Sequence, residues 1–229
     1  MLRLTLFFSI LASSVLCFAQ DTVNQTDPRG RKQGFWTRSG KEGNRIYDGW
    51  FLDDIPVGKF TYYYPNGMIR TVSWMSDGGT VARTTSWFPN GKLMARGNYL
   101  HEKRDSIWQF FSELDGSLVS EENYCNGVKN GAEKLYYPGK GLAEVVGWKE
   151  GKKEGPWKQF YDDGTLKLDG TYHMDEKEGI LRTYYVSGQL LSTGQYVNGH
   201  QDGLWIYYDN TGKVTLKEQY EKGLLLKSE

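Results

Sequence analysis

The sequence predicts an all-β protein: an elongated antiparallel sheet of about eight 24-residue β-hairpin repeats. Three observations carry this. From Gly155 the chain writes one pattern three times running, "GPWKQFYDDGTLKLDGTYHMDEKE", "GILRTYYVSGQLLSTGQYVNGHQD" from Gly179 and "GLWIYYDNTGKVTLKEQYEKGLLL" from Gly203. A fixed period of this size marks a repeat architecture. The composition, with 16 Tyr, 8 Trp and 28 Gly against 6 Pro, suits strands joined by tight turns. Each unit also has two glycine turns, and two strands plus two short loops leave no room for a helix.

The first element is a leader. "MLRLTLFFSILASSVLCFAQ" has Arg3, an apolar run from Leu4 to Leu16 and small residues at Cys17 and Ala19. This predicts a signal peptide over 1–19, cleaved after Ala19, and hence an exported protein of the periplasm, cell envelope or extracellular space. The run is short for a retained membrane helix. Anchoring through a lipidated Cys17 is the competing possibility, and Leu16 counts against it because a small residue normally precedes a lipidated cysteine. Cleavage leaves Cys125 as the lone cysteine, so no internal disulfide is available. Residues 20–33, "QDTVNQTDPRGRKQ", carry one aliphatic side chain, Val23, and predict a flexible lead-in.

Residues 34–229 then form a single repeat domain. Units open at Gly34, Gly58, Ala82, Ser106, Gly131, Gly155, Gly179 and Gly203, with one inserted residue near Leu114. Counting from those openings, the second place holds Trp36, Phe60, Trp108, Trp157, Leu181 and Trp205, with breaks at Thr84 and Glu133. The fifth place holds Tyr63, Trp87, Phe111, Tyr136, Phe160, Tyr184 and Tyr208. Around the seventeenth place an aromatic returns, as Phe51, Tyr99, Tyr124, Trp148, Tyr172, Tyr196 and Tyr220. Side chains alternate along a strand, so both faces carry rings. Gly49, Gly97, Gly170 and Gly194 stand two residues before the seventeenth-place ring, where each leaves a gap that a neighbouring ring can cover. Asn-Gly and Asp-Gly pairs, as at 66–67, 90–91 and 163–164, supply the positive φ that hairpin turns require. A propeller blade needs a longer repeat, and leucine-rich repeats space their leucines differently.

The run Tyr63-Tyr64-Pro65-Asn66-Gly67, the run Trp87-Phe88-Pro89-Asn90-Gly91-Lys92-Leu93 and the stretch from Gly194 through Trp205 resemble the bacterial variant of the MORN-repeat family. The resemblance spans nearly the whole mature chain. It implies antiparallel hairpins stacked into a sheet and used for protein or lipid contacts, and some bacterial members look like antitoxins.

Little in the sequence supports catalysis, and the expectation is no enzyme, no cofactor and no metal. His101, His173 and His200 fall near second turns, one to four units apart, too far apart to converge on one ion. Asp53-Asp54, Asp162-Asp163 and Asp175-Glu176 sit at turns, where aspartate serves the backbone. Cys125 has no neighbouring histidine and suits a half-buried filler. No serine elbow or phosphate loop occurs. Lys+Arg and Asp+Glu are both 28, so nothing points to nucleic acid. The positive signal is aromatic. Trp87, Trp108, Trp148, Trp157, Tyr184, Trp205 and Tyr208 are the candidate binding stripe, because exposed Trp and Tyr anchor interfaces. The expected function is an exported, non-catalytic scaffold for a protein partner, antitoxin- or immunity-like. The alternative is a module binding an envelope polysaccharide or lipid surface.

Overall fold

A computed structural model describes residues 22–229. The signal peptide, its cleavage after Ala19 and Cys17 lie outside the described residues. The eight units are eight hairpins: Lys32–Ser39 (β2) with Arg45–Leu52 (β3), Ile55–Tyr63 (β4) with Ile69–Ser76 (β5), Val81–Trp87 (β6) with Leu93–Leu100 (β7), and Lys103–Phe111 (β8) with Leu118–Cys125 (β9). The remaining four pair Gly131–Tyr136 (β11) with Leu142–Lys149 (β12), Lys152–Phe160 (β13) with Leu166–His173 (β14), Gly179–Tyr184 (β16) with Leu190–Val197 (β17), and His200–Tyr208 (β18) with Val214–Glu221 (β19). Two-residue strands at Val128–Lys129 (β10) and Glu176–Lys177 (β15) lie just ahead of the openings of the fifth and seventh units. Gln25–Thr26 (β1) and Leu224–Ser228 (β20) flank the series. All belong to one 20-stranded antiparallel sheet in which strands pair in chain order.

Within the expected flexible lead-in over 20–33, the described residues 22–33 are partly paired. Gln25 pairs with Gln33, Asn24 N donates to the Phe35 carbonyl, and Arg31 is salt-bridged to Asp27 at 2.6 Å. A polar composition did not prevent pairing here, because the strand it joins supplies the partners.

One contact repeats along the sheet. At four junctions the second-place side chain lies over the glycine of the preceding unit, a ring at three of them and Leu181 over Gly170 at the fourth. A Cβ built on Gly49 would stand 2.2 Å from the Phe60 ring, on Gly97 2.4 Å from Trp108, and on Gly194 2.1 Å from Trp205. These glycines are required because the ring occupies the Cβ position. Seventeenth-place rings flank the contact: Phe51 and Phe60 are 5.2 Å apart, Tyr99 and Trp108 4.9 Å, Tyr196 and Trp205 5.4 Å. The result is a stripe on one face, with Phe60, Trp108 and Trp205 each 3% exposed.

A β-bulge makes the overlap possible. Between the pairs Trp50–Val57 and Asp48–Thr61, Gly49 alone faces Gly58, Lys59 and Phe60. Opening residues there take positive φ, Gly58 at 64° and even Ser106 at 59°. Unit three solves the same spacing differently. Four residues separate Ser76 from Val81, where two separate Leu52 from Ile55, and no bulge follows. The longer loop replaces the two residues the bulge would add, so the 24-residue period holds.

The two turns of a unit are of different kinds. In the first, Gly67 N donates to the Tyr64 carbonyl and Tyr64 N to the Met68 carbonyl, with positive φ at Gly67 (84°) but not at Asn66. Asn66 contributes by accepting from Met68 N at 3.1 Å, as Asp163 does from Thr165 N at 2.8 Å. In the second turn both residues have positive φ, as at Asp53 (54°) and Asp54 (68°) or Asn198 (49°) and Gly199 (77°), the primed geometry that suits strand twist.

A second ladder runs along the first turns. The Tyr64 hydroxyl donates to the Trp87 carbonyl at 2.8 Å, Tyr137 to Phe160 at 2.8 Å, Tyr161 to Tyr184 at 2.7 Å and Tyr185 to Tyr208 at 2.8 Å. Each joins one unit to the next.

The stripe predicts a one-sided sensitivity. Gly97→Ala should lower unfolding free energy by about 1–3 kcal/mol through forced displacement of Trp108. Asn98→Ala, on the opposite face, should change it by about 0.5 kcal/mol or less. Denaturant titration of both variants measures the difference.

Candidate functional site

The aromatic residues expected to form one binding stripe divide between the two faces. Trp108, Trp157 and Trp205 lie in the packed stripe at 3%, 9% and 3% exposure, so little ring area remains for a partner. Their indole nitrogens are not alike: Trp108 Nε1 donates to the Asn98 carbonyl at 2.9 Å and Trp157 Nε1 to Glu144 at 2.6 Å, while Trp205 Nε1 has no partner among the described residues. Trp148 is half-buried on the same face, with Lys129 Nζ 5.0 Å and Lys153 Nζ 6.0 Å from its ring. Trp87, Tyr184 and Tyr208 are half-buried fifth-place residues. A bulge precedes each of them, and fifth-place side chains turn to the other face, as Tyr63 does to reach Asp48 at 2.7 Å and Tyr136 to reach Glu121 at 3.0 Å. Burial and that hydrogen bond to Glu121 push the Tyr136 phenol up to about 12.

The exposed tryptophans are different residues, Trp50 at 50% and Trp74 at 56%. Both are sixteenth-place side chains on the outer face, one unit and about 10 Å apart by strand spacing. Trp50 pairs across the sheet with Phe35 on β2, their rings 5.6 Å apart, and with Val57 on β4. Leu52 (59%) and Ile55 (42%) pair beside them. Trp74 stands between Lys59 on β4 and Arg83 on β6. Beyond it, Val72, Arg83, Thr85, Trp87 and Asn98 line an open depression of about 810 Å³. Units one to three therefore carry an apolar outer patch edged by two cations. Sequence reasoning missed Trp50 and Trp74. A signal existed, because the same place holds Asn98, Asn123, Gly147, Thr171, Gln195 and Gln219 in later units.

The stripe has two polar interruptions. Glu122 stands where a covered glycine is usual and Glu133 where a ring is usual. Lys129 lies between them, 3.6 Å from Glu122 and ion-paired with Glu133, which also accepts from Trp148 Nε1 at 2.8 Å. Burial works against the Lys129 charge, yet pairing with Glu133 and Glu122 holds its pKa above the ordinary lysine value. This polar joint carries the register where the ring-on-glycine contact is missing. At the other interruption Ser73 replaces the glycine and Thr84 the ring, and their hydroxyls hydrogen-bond at 2.9 Å.

The sequence's other candidate residues stand at separate places. Among the described residues no three His, Cys, Asp or Glu side chains converge on a point. His101, His173 and His200 are exposed at second turns. Asp54 and Asp175 accept from Lys32 N and Lys153 N, both at 2.8 Å, which is turn chemistry. Cys125 is exposed, unlike the half-buried filler expected, because it stands at the strand end beside the Asn126-Gly127 turn. Among the described residues no helix is long and apolar enough to cross a membrane.

The two classes of tryptophan should separate by stability. Trp50→Ser and Trp74→Ser should each cost about 1 kcal/mol or less, the value of a cross-strand pair. Trp108→Ala should cost about 3–5 kcal/mol. Thermal or urea unfolding of the three variants provides the comparison.

The chain matches the model of the MORN repeat variant at residues 56–72, 82–101, 153–174, 177–198 and 201–222. These are units two, three, six, seven and eight; the unmatched units include the Leu114 insertion and the Glu122–Glu133 joint. No curated protein matches the chain. Among solved structures it is similar to one chain of the crystal structure of TcdB2-TccC3-Cdc42, at 9% identity and a TM-score of 0.18, covering 86% of this chain and 15% of that one. With five of its eight hairpin units matched, the chain belongs to the MORN repeat variant family.

Proposed function

We propose that this repeat protein is an exported, non-catalytic scaffold that docks a partner protein on the outer face of units one to three. The observation that carries the reading is the pair Trp50 and Trp74, half exposed on a rigid sheet where the other units place amides, small residues or threonine. Tryptophan supplies large contact area at small entropic cost and dominates binding energy where a partner desolvates it. Lys59 and Arg83 beside Trp74 favour a partner that surrounds an apolar patch with carboxylates. Export is supported by the N-terminal sequence, from Arg3 through Ala19. An immunity-like role, in which the partner is a toxin met outside the cytoplasm, is the finer form of the proposal, and it rests on the family resemblance.

The test is affinity capture from the native envelope, followed by reconstitution with the purified captured protein. Replacing both Trp50 and Trp74 by Ser should weaken the reconstituted complex by about thirtyfold or more, the cost of losing one interface hot spot. A chain with Trp157→Leu that remains folded should bind as the parent does. An unchanged dissociation constant for the Trp50/Trp74 variant would overturn the placement of the docking face.

A further inference from the structure

The packed stripe runs from Phe60 to Trp205 with a gap at unit three, where a ring-sized place is empty. Ser73, Ala82 and Thr84 form its floor at 5%, 9% and 5% exposure. Phe60 and Tyr62 stand on one side and Tyr99 on the other, with Thr80 and Glu102 at the turn end, around a volume of about 590 Å³. The gap does not collapse, because the backbone spacing of the sheet is fixed by its ladder while the side chains at the floor are small. It lies on the face opposite Trp50 and Trp74 and is independent of the docking patch.

Its floor carries two hydroxyl pairs side by side. Thr71 Oγ1 and Ser86 Oγ lie 3.0 Å apart, and Ser73 Oγ and Thr84 Oγ1 2.9 Å apart. In each pair only one hydroxyl can donate to the other. Two O–H groups are therefore left with no acceptor among the described residues, together with spare lone pairs. At the junctions of Gly49, Gly97 and Gly194 the repeat fills this place with its own ring on a glycine. A hydrocarbon ring entering here would cover those hydroxyls without pairing them, which is costly. An occupant that suits the place has flat C–H faces for the aromatic walls and several hydroxyls for the floor.

We infer that the gap between Phe60 and Tyr99 is a binding slot for a neutral pyranose glycan. The sugar ring lies against the aromatic walls, and its hydroxyls accept from and donate to Thr71, Ser73, Thr84 and Ser86. The volume is within the range of small-ligand sites. The single carboxylate at the rim, Glu102, disfavours acidic sugars.

The experiment is a ¹H–¹⁵N NMR titration of the chain with cellobiose, maltose and N,N′-diacetylchitobiose, and separately with N-acetyl-tryptophanamide. At least one sugar should give saturable shifts centred on the amides of residues 71–75, 82–86 and Tyr99. The double variant Ser73→Gly with Thr84→Trp puts a ring into the slot over a glycine, should keep the parent's spectral dispersion, and should lose sugar affinity by about tenfold or more. Thr71→Val with Ser86→Ala removes part of the floor without filling the slot; it should weaken binding in the same direction and decides the matter if the filled variant does not fold. Trp50→Ser with Trp74→Ser should leave the titration unchanged. The inference is overturned if none of the three sugars shifts these amides, if N-acetyl-tryptophanamide shifts them and the sugars do not, or if the filled slot binds sugar as well as the parent.

Discussion

A ring laid over a missing Cβ is the interaction on which the rest of the structure depends. Stacked against a sheet, an aromatic side chain normally rests on the Cβ atoms beneath it and stands away from the backbone. Over Gly49, Gly97 and Gly194 it descends into the space a Cβ would fill. That removes both ring and backbone from water in a sheet with no second layer. A lone hairpin cannot achieve this, since the glycine belongs to one unit and the ring to the next. Stability is therefore shared between neighbours, as in other repeat arrays, and the bulge where a ring-bearing unit opens gives the ring its reach. The tyrosine hydroxyls along the first turns repeat the same logic with a hydrogen bond, each donor in one unit and its carbonyl in the next.

The places where this contact fails give the molecule its individuality. Glu122 and Glu133 would repel if left alone, and Lys129 joins them into an ionic substitute for packing. Ser73 and Thr84 substitute a hydroxyl pair and leave an open place in the stripe. The outer face changes character at the same end of the molecule, because Trp50 and Trp74 occupy a column that is otherwise polar. Units one to three thus have an apolar patch on one side and a hydroxylated slot on the other. The later units expose aliphatics on that outer face, Ile107, Ile180 and Leu204 among them, but amides, a glycine or a threonine where units one and two place Trp50 and Trp74.

Much of the fold was legible in the sequence because period and turn chemistry are local. The eight units, the covered glycines and the opposite parity of second- and fifth-place rings all follow from spacing. The Asn-Gly turns were legible in location but not in mechanism, since Asn66 keeps negative φ and works through its side chain. The sixth-place tyrosines passed unnoticed because their hydroxyls act across 23 residues, although the Tyr-Tyr doublets at 136–137 and 184–185 mark them. The candidate site was hardly legible. Trp108, Trp157 and Trp205 were singled out because they recur, and recurrence in a repeat signals packing. Trp50 and Trp74 interrupt a polar column, and interruption is the better sign of a surface set apart for contact. A repeat protein's scaffold lies in what its units share, its function in what they do not.

The central claim is that ring and glycine act as one unit where they meet across a junction, as at Gly49–Phe60, Gly97–Trp108 and Gly194–Trp205. A double-mutant cycle on Gly194→Ala and Trp205→Ala, read by urea unfolding, tests it most directly. The added methyl should destabilise the parent but matter little once the ring is gone, giving a coupling of about 1 kcal/mol or more between the two sites. Equal cost of Gly194→Ala with and without the Trp205 ring would contradict the account.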